Sequence, residues 1–550
     1  MTFDRATRMA ASLAVLALVT GSVHASPVRD TDDDPKVVTP VGPTLYGPTV
    51  DARTLTMRSL LDTAADEDLI AKADAEAIAA FYKARGFAPV WVEDGALTDD
   101  AISLIVRIKD ANTDGLDPVD YRLPRQSVGR YQAATPLRAA EADLTLSQAV
   151  IDYARDAYGG RLEPTELSGN FGYERKHLKA SDVLGLVSRA PEPAVALAAY
   201  NPPQPEFGAL RAALADARAK TAAEEKPEIP GGPLIKAGMT DLRVPMIRER
   251  LELASAVEDP NLYGGDVVAA IKAFQKQSRL KADGIVGKRT LAAFNRGPRN
   301  DVAIILANME RWRWMPRHLG DFYVRVNVPN YNLDIYKNDE VVHTTRVVVG
   351  KTIHQTPVFS DEIEHVVVNP VWNVPASIAR NEMLPKLRAG SRLRGYKVYA
   401  NVRGRFRAVN PRTINWRRVN MSRIQIKQPP GSRNALGQVK FLFPNKYAVY
   451  LHDTPSKSLF ERETRAFSHG CVRVHQPWDF ADALLAHTPG VEGERLRKMV
   501  GGGEKWVNLE QTIPVHVTYF TAWIDDRGNL QVRDDIYGHD KRVAKALGLS

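Results

Sequence analysis

Tyr450-Leu451-His452-Asp453, answered by Ser468-His469-Gly470-Cys471-Val472-Arg473, is the pair of segments from which the rest of the chain is read. Cys471 is the only cysteine among 550 residues, so no internal disulfide can form. A lone cysteine with one histidine two places before it and another nineteen places upstream has two readings. It is a nucleophile with a base, or a buried and inert thiol, since free cysteine is among the most buried residue types. Residues 447–452 are aromatic, β-branched and apolar, which predicts a strand. Side chains two apart on a strand share a face, so Tyr450 and His452 point one way and Asp453 the other. Asp453 is then a poor orienter for His452 although adjacent to it. The loop 454–467 returns Ser468 to Cys471 beside the end of that strand, and Gly470 permits a tight turn there. The backbone N–H groups of Gly470 and Cys471 are the candidate donors to a developing oxyanion.

His452, fifteen intervening residues and then Ser468-His469-Gly470-Cys471 resembles the signature of the L,D-transpeptidase (YkuD-like) catalytic domain. The common form of that signature has asparagine two places after the cysteine, where this chain has Arg473. That departure, with His452-Asp453-Thr454-Pro455, is similar to the large multidomain Gram-negative (YcbB-like) branch. The resemblance implies a cysteine acyltransferase with Cys471 as thiolate and His452 as base. The thiolate attacks the carbonyl of the third stem residue of peptidoglycan, meso-diaminopimelate, and expels terminal D-Ala. The thioester is then taken by the side-chain amine of a second stem, giving a 3→3 cross-link. An imidazolium partner is expected to lower the thiol pKa into a usable range.

Gly470 and Ser468 are assigned to the turn and oxyanion site, and His469, Arg473 and Tyr450 to substrate binding. For Arg473, bracing of the loop is the first expectation and a bidentate pair with a substrate carboxylate the second. No cofactor and no metal is expected, and inactivation by carbapenems through Cys471 is implied. Three competitors remain open. Water or another amine resolving the same acyl-enzyme would make an L,D-carboxypeptidase or an amidase. A zinc peptidase would use His452, Asp453 and His469, but two of these face opposite ways and the cysteine would be idle. A non-catalytic wall-binding protein would not need the His452/Cys471 pair. His343, His354, His365, His475, His487 and His516 show no ligand spacing and are read as surface or core residues.

Composition agrees with globular structure: 25% of residues are charged and 44% hydrophobic. The length predicts two to four domains, a multidomain α+β chain. Residues 1–25 carry Arg5 and Arg8, a short apolar run and Val23-His24-Ala25, the pattern of a cleaved signal peptide. Export to the periplasm is therefore expected, which excludes nucleic acid as a partner. Membrane association follows only if the signal stays uncleaved. Residues 26–55, rich in Asp, Pro and Thr, read as a flexible lead-in.

Residues 56–223 are alanine-rich and helical in period, as at Leu146, Val150, Tyr153 and Ala154, and resemble the family's helical scaffold domain. Residues 224–235 are a Pro/Gly linker. Residues 236–297 resemble a three-helix peptidoglycan-binding domain, with Asp266 as the cap of its second helix and Asp283-Gly284-Ile285-Val286-Gly287 as a loop. From residue 301 to 550 the pattern turns to short strands with frequent turns, the mark of a β-sandwich catalytic domain. In it, 515–524 and 530–532 form a closing hairpin.

An insert, 376–438, interrupts the sheet and is placed as a capping subdomain over the site. Between positions 380 and 440 stand 16 Lys/Arg against one acid, Glu382, an excess larger than the net +9 of the whole chain. Charge so concentrated suits an anionic partner such as peptidoglycan stems and glycan. The chain is expected to act as a monomer.

Overall fold

The turns between residues 322 and 518 carry the residues that hairpins require. Asn338 and Asp339 both take positive φ (49° and 65°) between two strands, the conformation of a type I′ turn. Nine strands form one sheet: β1 (Phe322–Asn327), β2 (Asn332–Lys337), β3 (Glu340–Gly350), β4 (Phe359–Val368), β5 (Val439–Leu442), β6 (Leu451–His452), β7 (Ala466–Ser468), β8 (Val472–Val474) and β9 (Lys505–Thr518). Their order is β7-β3-β8-β6-β5-β4-β9-β1-β2, and β2 also pairs with β3, so the sheet closes on itself. Among the described strands, closure leaves only the three-residue β7 with a free edge, and so short an edge offers little template for pairing with other chains. The expected sandwich is thus one continuous sheet, with Val324, Leu333, Val347, Val366, Leu451 and Val515 fully buried in its core. The computed structural model describes residues 52–124, 135–221, 228–254, 259–278, 280–295 and 301–549. The stretch read as a signal peptide and most of the expected lead-in lie outside these residues.

Two predicted strands are shorter than expected, for the same physical reason. Residues 447–449 do not join the ladder, because the Asn445 side chain takes backbone groups of Tyr447 and Val449. Its Oδ1 accepts from Tyr447 N (3.0 Å) and Val449 N (3.2 Å), and its Nδ2 donates to Val449 O (2.8 Å). Likewise 515–524 is not one strand. β9 ends at Thr518, and Asn327 and Asn308 take the backbone of Phe520 and Thr521 before a separate hairpin pairs 522–524 with 530–532. Side-chain amides compete with ladders in this way.

The helix Asp301–Trp314 joins the sheet to the helical region. It packs on the helix Pro205–Thr221, whose Phe207, Leu210 and Leu214 belong to the same buried cluster as the sheet. Phe171 also belongs to that cluster and bridges to Val358, so the expected scaffold is not a separable body: its last helix is part of the sheet's core. The rest of it, including the long helix Pro136–Gly159, has its own core around Tyr82, Trp91, Leu146 and Tyr153. A first helix, Ala52–Leu61, begins inside the stretch read as lead-in. Among the described residues no helix is long and apolar enough to cross a membrane.

The small helical unit contains Val244–Arg250, Gly265–Gln277 and Lys288–Asn295. Buried Gln275 shapes its 283–287 loop, accepting from Gly284 N (2.8 Å) and donating to Ile285 O (3.0 Å). Two expectations change here. Ile229 and Ile235, placed in the linker, are fully buried in this unit's core with Val286 and Tyr263, and Ile235 exchanges both backbone hydrogen bonds with Val286. Gly264, not Asp266, is the cap, and the Asp266 carboxylate instead pairs with Arg248 at 2.7 Å.

Between β4 and β5 the insert forms its own four-stranded sheet from 372–373, 424–428, 397–402 and 405–409, over a small core of Ala379, Val398 and Ile426.

Arg313 ties the helical region to the sheet. Its side chain is 1% exposed and lies 3.9 Å from Glu310, also 1% exposed. Nη2 donates to Asp114 O (2.6 Å) and Asn201 Oδ1 (3.2 Å). Removing one member of a buried pair leaves the other charge uncompensated, a loss of about 3–5 kcal/mol. Arg313→Ala should therefore lower the unfolding free energy of the full chain, measured by urea titration, by that amount. A loss under about 1 kcal/mol would mean that Glu310 is satisfied without it.

Candidate active site

β6 and β8 run parallel, with Leu451 opposite Val472 and His452 opposite Arg473. Val472 N donates to Tyr450 O at 3.1 Å, which continues the register to Tyr450 and Cys471. Partners across a parallel ladder share a face, and the faces alternate along each strand. Leu451 and Val472 are both fully buried in the core. Tyr450, His452, Cys471 and Arg473 therefore share the other face. With strands about 4.8 Å apart and a rise of about 3.3 Å per residue, the Cα atoms of His452 and Cys471 are roughly 8 Å apart. An imidazole and a thiol span that gap. The sulfur's partners in the resting structure are the Tyr450 backbone N–H and phenol, and Ala448 O at 3.8 Å; His452 is not among them.

His452 Nδ1 is hydrogen-bonded to the backbone carbonyl of Asp453. A carbonyl only accepts, so Nδ1 carries the proton and Nε2 is the basic nitrogen. Asp453 thus orients His452 through its main chain. Its carboxylate is turned away to Gln438 N (2.8 Å), Thr454 N (2.6 Å) and Lys457. A Cβ on Gly437 would lie 2.2 Å from that carboxyl group, so only glycine allows the approach.

Burial, joined by the Arg473 and Lys440 cations, lowers the His452 pKa to about 3 against the opposing Asp453 carbonyl. Burial raises Cys471 to about 11, more than the Tyr450 hydrogen bonds and the Arg473 charge pull it down. The resting pair is a neutral thiol beside a neutral imidazole. This corrects the expected thiolate–imidazolium pair, because the desolvated pocket disfavours both charges.

The turn is held from two sides. Ser468 Oγ donates to Cys471 O and accepts from Gly470 N at 3.1 Å. Thr356 Oγ1 donates to Gly470 O (2.8 Å) and accepts from Gly350 N (2.8 Å). Gly470 itself sits at φ +113°, where a side chain would be strained. Of the two expected oxyanion donors, Gly470 N–H is therefore occupied. Cys471 N–H donates to no atom among the described residues.

Arg473 is half-buried, its Nε has no partner, and it forms no ion pair among the described residues. The bracing role expected first finds no partner. Tyr450 stands 5.6 Å from the His452 ring, and the Lys440 ammonium lies 6.0 Å over its face.

His469 points elsewhere. Its Nε2 is hydrogen-bonded to Glu382, which the insert delivers, and its ring lies 4.8 Å from that of His354. His354 and His469 line a cleft of about 800 Å³ with Ser168, Asn170, Gln355 and Arg542. Nothing in the local sequence marks Thr356, Glu382 or His354 as site residues. No spacing signal links positions so far apart, and only closure of the sheet and placement of the insert unite them.

Comparison with known proteins agrees with this architecture. Residues 76–214 match the scaffold domain, 246–294 the peptidoglycan binding domain and 321–492 the L,D-transpeptidase catalytic domain. The chain thus carries an L,D-transpeptidase catalytic domain together with a peptidoglycan-binding domain. A Haemophilus influenzae protein named as an L,D-transpeptidase is 34% identical over 238 residues, 43% of this chain and 48% of that protein. The chain thus spans about half the length of this curated relative. Solved L,D-transpeptidases from Stackebrandtia nassauensis and Mycobacterium smegmatis are 15% and 14% identical. They cover 54% and 36% of this chain, and 97% and 58% of their own chains. Their TM-scores of 0.18 and 0.17 are too low to carry a structural argument.

A thiol raised to about 11 has little thiolate at neutral pH. Alkylation of Cys471 by iodoacetamide, followed by intact mass, should rise about tenfold per pH unit between about pH 7 and about pH 9. A rate that is flat over this range would show a preformed thiolate instead.

Proposed function

We propose that this chain is a periplasmic L,D-transpeptidase that forms 3→3 cross-links through a thioester on Cys471. The observation that carries this is the parallel β6–β8 register, which puts Cys471, His452, Tyr450 and Arg473 on one face. The sulfur attacks the carbonyl of the diaminopimelate residue while its proton passes to His452 Nε2. The imidazolium returns that proton to the nitrogen of the departing D-Ala, leaving a thioester. The side-chain amine of a second stem then attacks. His452 takes its proton and hands it to the leaving sulfur, so the enzyme ends as it began. Cys471 N–H is the oxyanion donor.

Arg473, a cation without a carboxylate partner of its own, holds a stem carboxylate. The basic insert raises the local concentration of anionic stems. The 228–295 unit keeps the enzyme on the wall.

The test is mass spectrometry of the products from disaccharide-tetrapeptide. A dimer lighter by one D-Ala than two tetrapeptides is expected. Tripeptide alone would replace transpeptidation by carboxypeptidation, and no product would leave a wall-binding protein. Cys471→Ser should abolish the dimer and covalent labelling by a carbapenem. His452→Ala should slow both by about 10²–10⁴-fold. Labelling of either variant at the parent rate would remove the role assigned to that residue.

A further inference from the structure

We propose that His354, Glu382 and His469 form a binding site for a divalent transition-metal ion of the zinc type, clasping the insert to the turn that carries Cys471. The proposal does not depend on the acceptor in the reaction, or on Cys471 being its nucleophile, and it departs from the sequence-based expectation that no metal is bound. One ligand atom from each of the three residues lies within 4.8 Å of the others. They come from three separate segments: His354 from the loop after β3, His469 from the turn before Cys471, and Glu382 from the short turn Ala379–Met383 of the insert.

Two imidazoles and a carboxylate are the donor set of borderline divalent metals, zinc foremost. A tetrahedral ion bound at about 2.0–2.2 Å needs donors about 3.3–3.6 Å apart. Donor atoms within 4.8 Å of one another need to shift by only about 1 Å to reach that spacing. All three residues are half-buried, which leaves a route for the ion. His354 and His469 open on the 800 Å³ cleft, where water completes the coordination.

Two features single the group out. Glu382 is the one acid against 16 Lys/Arg between positions 380 and 440, yet its hydrogen-bond partner is His469 rather than any of those cations. His354 then adds a second imidazole 4.8 Å from the first, which a simple carboxylate–imidazole brace does not require. Lys351 and Lys386 also act on Glu382 and temper the affinity. On binding, the ion takes the place of the hydrogen between His469 Nε2 and the carboxylate. That proton moves to Nδ1 or to solvent. The metal then holds His469, two residues from Cys471, and the insert in one rigid arrangement.

The experiment titrates the metal-free full chain with Zn²⁺ by calorimetry and with Co²⁺ by visible absorption. One ion per chain is expected, with the cobalt bands of a four-coordinate site, in both the parent and Cys471→Ser. His354→Ala and Glu382→Gln should each weaken binding at least tenfold while keeping the parent's metal-free melting curve. If His354→Ala melts early, His354→Gln replaces it in the comparison. No binding at millimolar Zn²⁺ would overturn the proposal. So would binding that survives in both His354 and Glu382 variants but is lost in Cys471→Ser, since the ion would then sit on the thiol.

Discussion

Parallel pairing of β6 with β8 is the constraint on which the rest depends. Antiparallel neighbours need only a tight turn, whereas parallel ones need a crossover long enough to return the chain to its starting end. Residues 453–471 supply it, and on the way they contribute β7 on the far side of β3. The pairing does two things together. It buries Leu451 and Val472 in the core, each stabilising by roughly 1.5–3 kcal/mol, and it thereby turns His452 and Cys471 to the opposite face. Any slip by one residue would exchange the two sets. The core therefore enforces the register that the site requires.

Burial then decides the charge state. The pocket that excludes water also removes the stabilisation of a thiolate and an imidazolium, and Arg473 reinforces the second effect. The Asp453 carbonyl fixes the tautomer without adding a full negative charge beside the histidine. Arg473 remains as an uncompensated cation close to the sulfur.

The helical region and the sheet are physically one unit at their contact. Phe171, Phe207 and Leu210 are buried together with Val324 and Val515, and buried Arg313 closes the joint through Asp114 O and Asn201. A site on the sheet's outer face thus inherits its rigidity partly from helices more than a hundred residues earlier. The insert differs. Its own core is small, and its Glu382 reaches the site's turn through His469.

By itself the sequence determined the three kinds of domain, and it proposed the short list around His452 and Cys471. These depend on residue type and local spacing: a lone cysteine after glycine, a histidine on an alternating face, a helical period of alanines. It also determined that Asp453 could not turn its carboxylate to His452, since alternation along a strand is local. What only the tertiary structure decided depends on distant groups. Asn445 and Asn327 cut predicted strands short by capturing backbone that a periodicity argument assigns to a ladder. Ile229 and Ile235 left the linker for a core that extends as far as Phe294. The pKa of the cysteine and histidine depended on desolvation, which no local pattern encodes. The meeting of His354, Glu382 and His469 required sheet closure and the folded insert, because spatial proximity across 115 residues has no period to read.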